Sequence, residues 1–219
     1  MKYLLAILFI LHISIAGFSQ EEEISTDLEV IDTTSITEAP QLLPEHYLLT
    51  QRLLWSEHGL IRMIPGNELS ETNRLREVKW RTYMLKAHRF LGYATILGMV
   101  GQAYTGAKLY SLGSFGEGES KEYDKWKDLH GGFAGFACTT YFASGGLMLF
   151  APPWKSDRAP GYSNTKLHKY LAMVHMTSMI ASLITADGAG HPGFVRDFHR
   201  ATAFAAFGTY FISTVIIHF

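Results

Sequence analysis

The sequence predicts an all-α protein: a transmembrane up-down four-helix bundle, preceded by a signal peptide and an amphipathic helical segment. Residues 90–219 hold nearly all the long apolar runs of the 219-residue chain. Four of these runs reach about 20 residues, enough to cross roughly 30 Å of hydrocarbon. Each run carries a histidine near its first turn. The connections between the runs are short, so sequential helices are expected to be antiparallel.

The composition agrees with a membrane protein. Apolar residues make up 47% of the chain and charged residues only 18%. The net charge of -1 gives no electrostatic basis for binding nucleic acid. Cys138 is the single cysteine, which excludes an intramolecular disulfide, a CxxC metal site and a covalent haem attachment motif. Any haem would therefore be held non-covalently.

The first 44 residues contain two segments that precede the bundle. Residues 1–19 have the basic start, apolar core and small final residues of a secretory signal, with cleavage expected after Ser19. An uncleaved anchor is the alternative interpretation. Residues 20–44 are acidic and rich in Thr, Ser and Glu, which predicts a flexible tether.

Residues 45–82 are predicted to form amphipathic surface helices. Apolar residues recur at helical spacing before Pro65-Gly66-Asn67, where a break is expected. A basic helix should follow the break. These segments are too charged to span a bilayer, so they should lie at the membrane surface or cap the bundle. His46 and His58 are expected to be ordinary surface residues.

Residues 83–219 form the predicted four-helix domain. The third span is the most informative, because after Lys169 it runs 17 residues without a formal charge, up to Asp187. The four predicted spans are Tyr83–Tyr110, Leu129–Phe150, Thr165–Ala186 and Phe198–His218.

The histidines near the starts of the spans are the candidate site residues. Antiparallel packing sorts them into two pairs, one at each end of the bundle: His88 with His168, and His130 with His199. A histidine in a hydrocarbon-spanning helix is costly and usually faces the bundle interior. Two facing imidazoles can supply both axial ligands of a haem iron. The pattern predicts two haem b groups, roughly 20 Å apart along the helices.

Two further features bear on this prediction. Arg89, Lys169 and Arg200 each directly follow a candidate ligand and could pair with haem propionates. The alternative is that they only extend to the membrane surface, as cations at span ends do. His175 lies on the same face as His168 and about 10 Å deeper. It is the alternative ligand opposite His88, a proton-relay group or an interior histidine with ordinary hydrogen bonds.

With these four histidines in this order, residues 83–218 resemble the cytochrome b561 family. The resemblance implies a four-helix core with two b-type haems, one near each membrane face, ligated from alternate helices. It also implies electron transfer, with ferric- or quinone-linked oxidoreductase activity left open. Residues 45–82 have no counterpart in that family, so the electron donor and acceptor are not identified.

The sequence thus predicts a diheme cytochrome that transfers electrons across the inner (plasma) membrane. Because histidine fills both axial positions, no iron site is left open for oxygen or substrate. The alternatives are a haem-bearing anchor subunit of a quinone-linked oxidoreductase complex and a non-redox membrane scaffold. The expected partners are lipid and a donor and acceptor at opposite faces, and a homodimer stays open.

The orientation rests on the signal peptide, which places the amino-terminal segment in the periplasm. The distribution of Lys and Arg opposes this orientation, with ten on the amino-terminal side of the spans and six on the other. The positive-inside trend would place the richer side in the cytoplasm. We give the signal peptide more weight because it engages the export machinery first.

Overall fold

The computed structural model describes residues 41–112, 121–155, 161 and 163–217. The predicted signal peptide, most of the predicted tether and His218 lie outside these residues. Within them the prediction of an all-α protein is confirmed: there are five α-helices, two short 3₁₀ turns and no strand. The helices are α1 (Leu49–Trp55), α2 (Glu71–Leu112), α3 (Lys121–Phe150), α4 (Asn164–Thr185) and α5 (Phe194–Ile216).

Helix α2 joins two segments that the sequence analysis separated. It begins after Ser70, whose hydroxyl accepts a hydrogen bond from the backbone N–H of Asn73 at 3.3 Å. It then continues for 42 residues, through the predicted boundary at residues 82 and 83. Neither glycine nor proline occurs between Glu71 and Phe90, so nothing in the local sequence stops the helix there.

The other three long helices overlap the predicted spans, and their ends differ from the predicted ends by at most eight residues. Helix α4 differs from its predicted span by one residue at each end, and the Ser163 hydroxyl caps it by accepting from the backbone N–H of Lys166 at 3.2 Å. Helix α3 begins eight residues before its predicted start and ends shortly before Pro152-Pro153. Helix α5 begins four residues early, after Gly193, whose φ of 134° suits glycine.

The four long helices pack as two antiparallel hairpins, α2 with α3 and α4 with α5. Between the hairpins, α2 approaches α5, while among the described residues no Cα atom of α3 lies within 8 Å of one in α4. The hairpins are therefore joined mainly through side chains that point into the space between them.

The interior of the bundle contains both polar and apolar residues, and many large apolar side chains lie on its outer surface. Large side chains such as Phe90 and Leu97 are 72% and 71% exposed. The buried positions hold small apolar residues, methionines and tyrosines together with polar side chains. Apart from Arg74, Glu77 and Arg81 near the start of α2, the buried polar residues on the four helices are Thr95, Thr105, Thr140, Ser144, His175, Ser182 and Ser213. A water-soluble bundle has a mainly polar outer surface instead.

By length and composition, α3 alone among the described helices is apolar enough to cross a membrane. The expectation of four spans is thus supported for one helix. In the other three long helices no 18-residue stretch is apolar enough to meet that criterion.

The amino-terminal segment caps the carboxyl-terminal end of α3. The side chains of Thr50, Trp55 and Gln51 donate hydrogen bonds to the last carbonyls of that helix region, at 2.5, 3.0 and 3.1 Å. Their acceptors are the carbonyls of Leu149, Phe150 and Ala151. Carbonyls at a helix end lack helical partners, so these side chains satisfy them.

Two buried arginines of α2 extend this cap. Arg81 donates to the carbonyl of Pro152 at 2.7 Å, and Arg74 donates to that of Pro153 at 3.0 Å. Arg74 also pairs with Glu77, which in turn pairs with Arg62 from the preceding 3₁₀ segment. Of the two placements expected for residues 45–82, the structure shows contact with the bundle end.

Candidate functional site

The structure brings the four candidate histidines together two by two. The ring centres of His88 on α2 and His168 on α4 are 6.3 Å apart, and the ring planes are perpendicular at 90°. The ring centres of His130 on α3 and His199 on α5 are 6.5 Å apart, with an angle of 68°. Each pair joins the two hairpins across a diagonal of the bundle.

At the first pair, a serine from the antiparallel neighbour holds each ring by its Nδ1 atom. Nδ1 of His88 lies 3.1 Å from the carbonyl oxygen and 2.8 Å from the hydroxyl of Ser144. Nδ1 of His168 lies 3.1 Å from the carbonyl oxygen and 2.7 Å from the hydroxyl of Ser213. A carbonyl only accepts hydrogen bonds, so Nδ1 carries the proton and donates.

The second pair has the same arrangement. Nδ1 of His199 donates to the carbonyl of Ser182 at 2.9 Å, with the hydroxyl of that serine at 3.4 Å. Nδ1 of His130 donates to the carbonyl of Gln102 at 3.1 Å and lies 3.0 Å from the Thr105 hydroxyl. In all four rings the second nitrogen, Nε2, is thereby left with its lone pair free, which is the tautomer that binds metal.

These Nδ1 partners follow a spacing that the sequence analysis missed. Fourteen residues after each candidate histidine lies a residue whose backbone carbonyl accepts a hydrogen bond from a candidate histidine. That second histidine belongs to the other helix of the same hairpin. The four pairs in this repeat are His88 and Gln102, His130 and Ser144, His168 and Ser182, and His199 and Ser213. Fourteen residues are nearly four turns and about 21 Å, so in an antiparallel hairpin each histidine lies beside its neighbour's acceptor.

The ring separations fit a shared iron atom. A metal binds an imidazole nitrogen at about 2.0 Å, and that nitrogen lies about 1.15 Å from its ring centre, so two opposed axial rings have centres roughly 6.3 Å apart. The observed separations are 6.3 and 6.5 Å. No hydrogen-bond partner within the described residues contacts any of the four Nε2 atoms. The donor set therefore fits two bis-histidine haems.

Other metal centres find less support. The part of the chain that the structure describes contains no group of three or more His, Cys, Asp or Glu residues that could hold a metal ion. A haem needs only two axial protein ligands, because its porphyrin supplies the other four nitrogens. Gly106 also makes room for one ligand, since a Cβ atom there would lie 3.1 Å from Cε1 of His130.

The three candidate cations lie near the ends of the bundle. Arg89 and Arg200 are exposed, and Lys169 is half-buried. The Arg200 guanidinium lies over the ring of Tyr110, 3.9 Å from its centre, in a cation–π contact. A propionate near His199 would compete with this ring for Arg200.

His175 does not face His88. Its Nδ1 atom is 2.7 Å from the hydroxyl of Tyr141, and its ring centre is 4.9 Å from that of Tyr210. The structure thus places His168 opposite His88 and gives His175 a different set of contacts. Neither tyrosine was singled out by the sequence analysis, because an interior tyrosine gives no signal that separates it from a packing residue.

No protein-family model matches this chain, and neither a curated protein nor a solved structure matches it. The resemblance to the cytochrome b561 family therefore rests on the positions of the four histidines. What the site can do is argued from its own geometry.

Proposed function

We propose that this protein is a b-type diheme membrane cytochrome similar to the cytochrome b561 family. One haem binds between His88 and His168, and a second binds between His130 and His199. The protein transfers electrons across the inner membrane between a donor and an acceptor at opposite faces. The observation that carries this proposal is the pairing of the four imidazoles with each Nδ1 atom bound to a backbone carbonyl.

The free Nε2 atoms favour haem over a scaffold role. If the histidines only joined helices, their Nε2 atoms would be expected to hydrogen-bond across the interface. The two pairs of rings also have nearly the same separation, 6.3 and 6.5 Å, as expected for ligands that share an iron.

The uncharged lengths of the four helices support a membrane location with four spans. The chain has no formally charged residue between Arg89 and Lys108, between Asp128 and Lys155, between Lys169 and Asp187, or after Arg200. These stretches hold 18, 26, 17 and 19 residues, within or above the length that spans a bilayer. Their exposed faces are rich in large apolar side chains. Lipid would cover these faces, while the polar residues stay inside.

Each part of the chain has a defined task in this proposal. The histidines bind the iron, and the carbonyls of the neighbouring helices orient the rings and keep the metal-binding tautomer. When bound, each haem supplies a one-electron couple between ferric and ferrous iron. The two sites lie about 21 Å apart along the helices, so they span much of the hydrocarbon. The signal peptide favours a periplasmic location for the His88–His168 end.

The test is the visible spectrum and haem content of the protein purified after haem-replete expression. We expect two low-spin b haems per chain. His88→Ala and His168→Ala should each remove one haem, and their combination should remove no more than one. His130→Ala and His199→Ala should remove the other. His191→Ala, at an exposed turn residue, is the matched control and should keep both.

Two results would contradict the proposal. The first is a wild-type protein that binds no haem. The second is loss of the same haem from His88→Ala and His130→Ala, which would refute the pairing.

A further inference from the structure

The 14-residue repeat makes the two candidate sites comparable position by position. On the inner side of each site, toward the middle of the bundle, four residues occupy equivalent places. Two lie seven residues after the histidines of that site, and two lie three residues before its serine or glutamine acceptors. All eight residues are buried. The sites therefore share a backbone pattern and differ in the side chains that it carries.

At the His88–His168 site these positions hold polar side chains, which we call the polar layer. Tyr141 and Tyr210 precede Ser144 and Ser213 by three residues, and Thr95 and His175 follow His88 and His168 by seven. At the His130–His199 site the equivalent positions hold what we call the apolar layer. Its members are Met99, Met179, Ala137 and Ala206.

The polar layer has one residue from each long helix, and three of its four members contact one another. The Tyr141 hydroxyl is 2.7 Å from Nδ1 of His175, and the Tyr210 ring centre is 4.9 Å from that of His175 and 5.6 Å from that of Tyr141. The Thr95 hydroxyl lies 2.9 Å from that of Thr140. Tyr141 and Tyr210 lie about one helical turn from Ser144 and Ser213, the serines that bind His88 and His168. This layer therefore borders the His88–His168 site.

The apolar layer offers no such groups. Two thioethers and two methyl groups fill it, and their side chains are at most 5% exposed. Fixed charges flank both sites, through Arg89 and Lys169 at one end and Lys127 and Arg200 at the other. The chemical contrast between the sites is therefore clearest on their inner sides.

We propose that the polar layer separates the redox potentials of the two haems by stabilising the ferric form of the haem at His88–His168. This inference rests on the proposed function. Ferric bis-histidine haem carries one more positive charge than the ferrous form, and nearby hydroxyl and imidazole dipoles can orient toward that charge. Methyl and thioether groups cannot do so to the same degree. The layer thus lowers the potential of the adjacent haem, and Tyr141 and Tyr210 act as positioning residues that tune it.

The test measures each haem alone by equilibrium redox titration. In the His130→Ala variant only the His88–His168 site keeps its haem. In the His88→Ala variant only the His130–His199 site keeps its haem. In the first background, Tyr141→Phe keeps the ring but removes the hydroxyl, and should shift the reduction equilibrium toward the ferrous form about fivefold, or about 40 mV. In the second background the same substitution should leave the potential unchanged. Tyr104→Phe, at an exposed tyrosine of α2, is the matched control and should change neither.

Tyr210→Phe is the second variant, and it decides the question if Tyr141→Phe loses the haem. It should raise the same potential in the same background. Equal shifts in both backgrounds, a downward shift, or no shift with either variant would overturn the inference. These outcomes differ from failure of the proposed function, in which the wild-type protein binds no haem and no titration is possible.

Discussion

Replacing Glu77 by glutamine tests how the amino-terminal segment is attached to the bundle. The Glu77 carboxylate pairs with Arg62 and with Arg74, and the three side chains are 7%, 6% and 2% exposed. Glu77→Gln keeps the shape but removes the counter-charge that the two buried guanidinium groups share. Breaking a buried ion pair in this way costs about 3–5 kcal/mol.

The expected result is a lower melting temperature of the detergent-solubilised protein. For a chain of this length, 3 kcal/mol corresponds to a decrease of about 6–12 °C. Since the cap contacts the end of α3 that follows Ser144, haem should leave the His88–His168 site before the other. Heating while the absorbance of each single-haem variant is recorded measures both effects.

The matched control is Glu71→Gln, which removes an exposed carboxylate from the first turn of the same helix. It weakens only a favourable interaction with the helix dipole, worth about 0.3–1 kcal/mol. If the two variants melt at the same temperature, the buried cluster does not hold the cap and the reasoning is refuted.

Two further pairs of substitutions test the geometry of the ligands. Gly106→Val places a Cβ atom 3.1 Å from Cε1 of His130, so it should reduce haem content at that site only; Gly135→Val, where a Cβ atom meets nothing within 4 Å, should keep it. Ser213→Ala removes a hydroxyl 2.7 Å from its histidine, whereas Ser182→Ala removes one at 3.4 Å. The first should therefore weaken haem retention more than the second in a competition assay with apomyoglobin, and the opposite order would contradict the assigned contacts.

The fold was largely predictable because its signals are local. Uncharged apolar runs and their polar boundaries predicted four long helices, and α4 differs from its prediction by one residue at each end. The continuity of α2 was missed because the sequence analysis separated the charged residues before residue 83 from the predicted span, although no glycine or proline interrupts the helix there. The four-span prediction stays a proposal, since hydropathy supports it for α3 alone.

The candidate site was predictable in part. The order of the histidines along antiparallel helices predicted which of them meet. The acceptors Ser144, Ser182 and Ser213 could also have been found, since each lies 14 residues after a histidine. The role of His175 could not have been predicted from the sequence. A residue two turns from His168 occupies the same helical face whether it binds a metal or contacts a tyrosine.

The sequence by itself determined the helices, their antiparallel order and the face on which each histidine lies, because those properties follow from backbone periodicity and short connections. The tertiary structure decided how far apart the rings lie, which nitrogen atom of each is held, and that a polar layer borders one site while an apolar layer borders the other. Those properties depend on atoms from helices far apart in sequence, such as His88 and Ser144 or Tyr141 and His175. Only the joint packing of all four helices sets such distances.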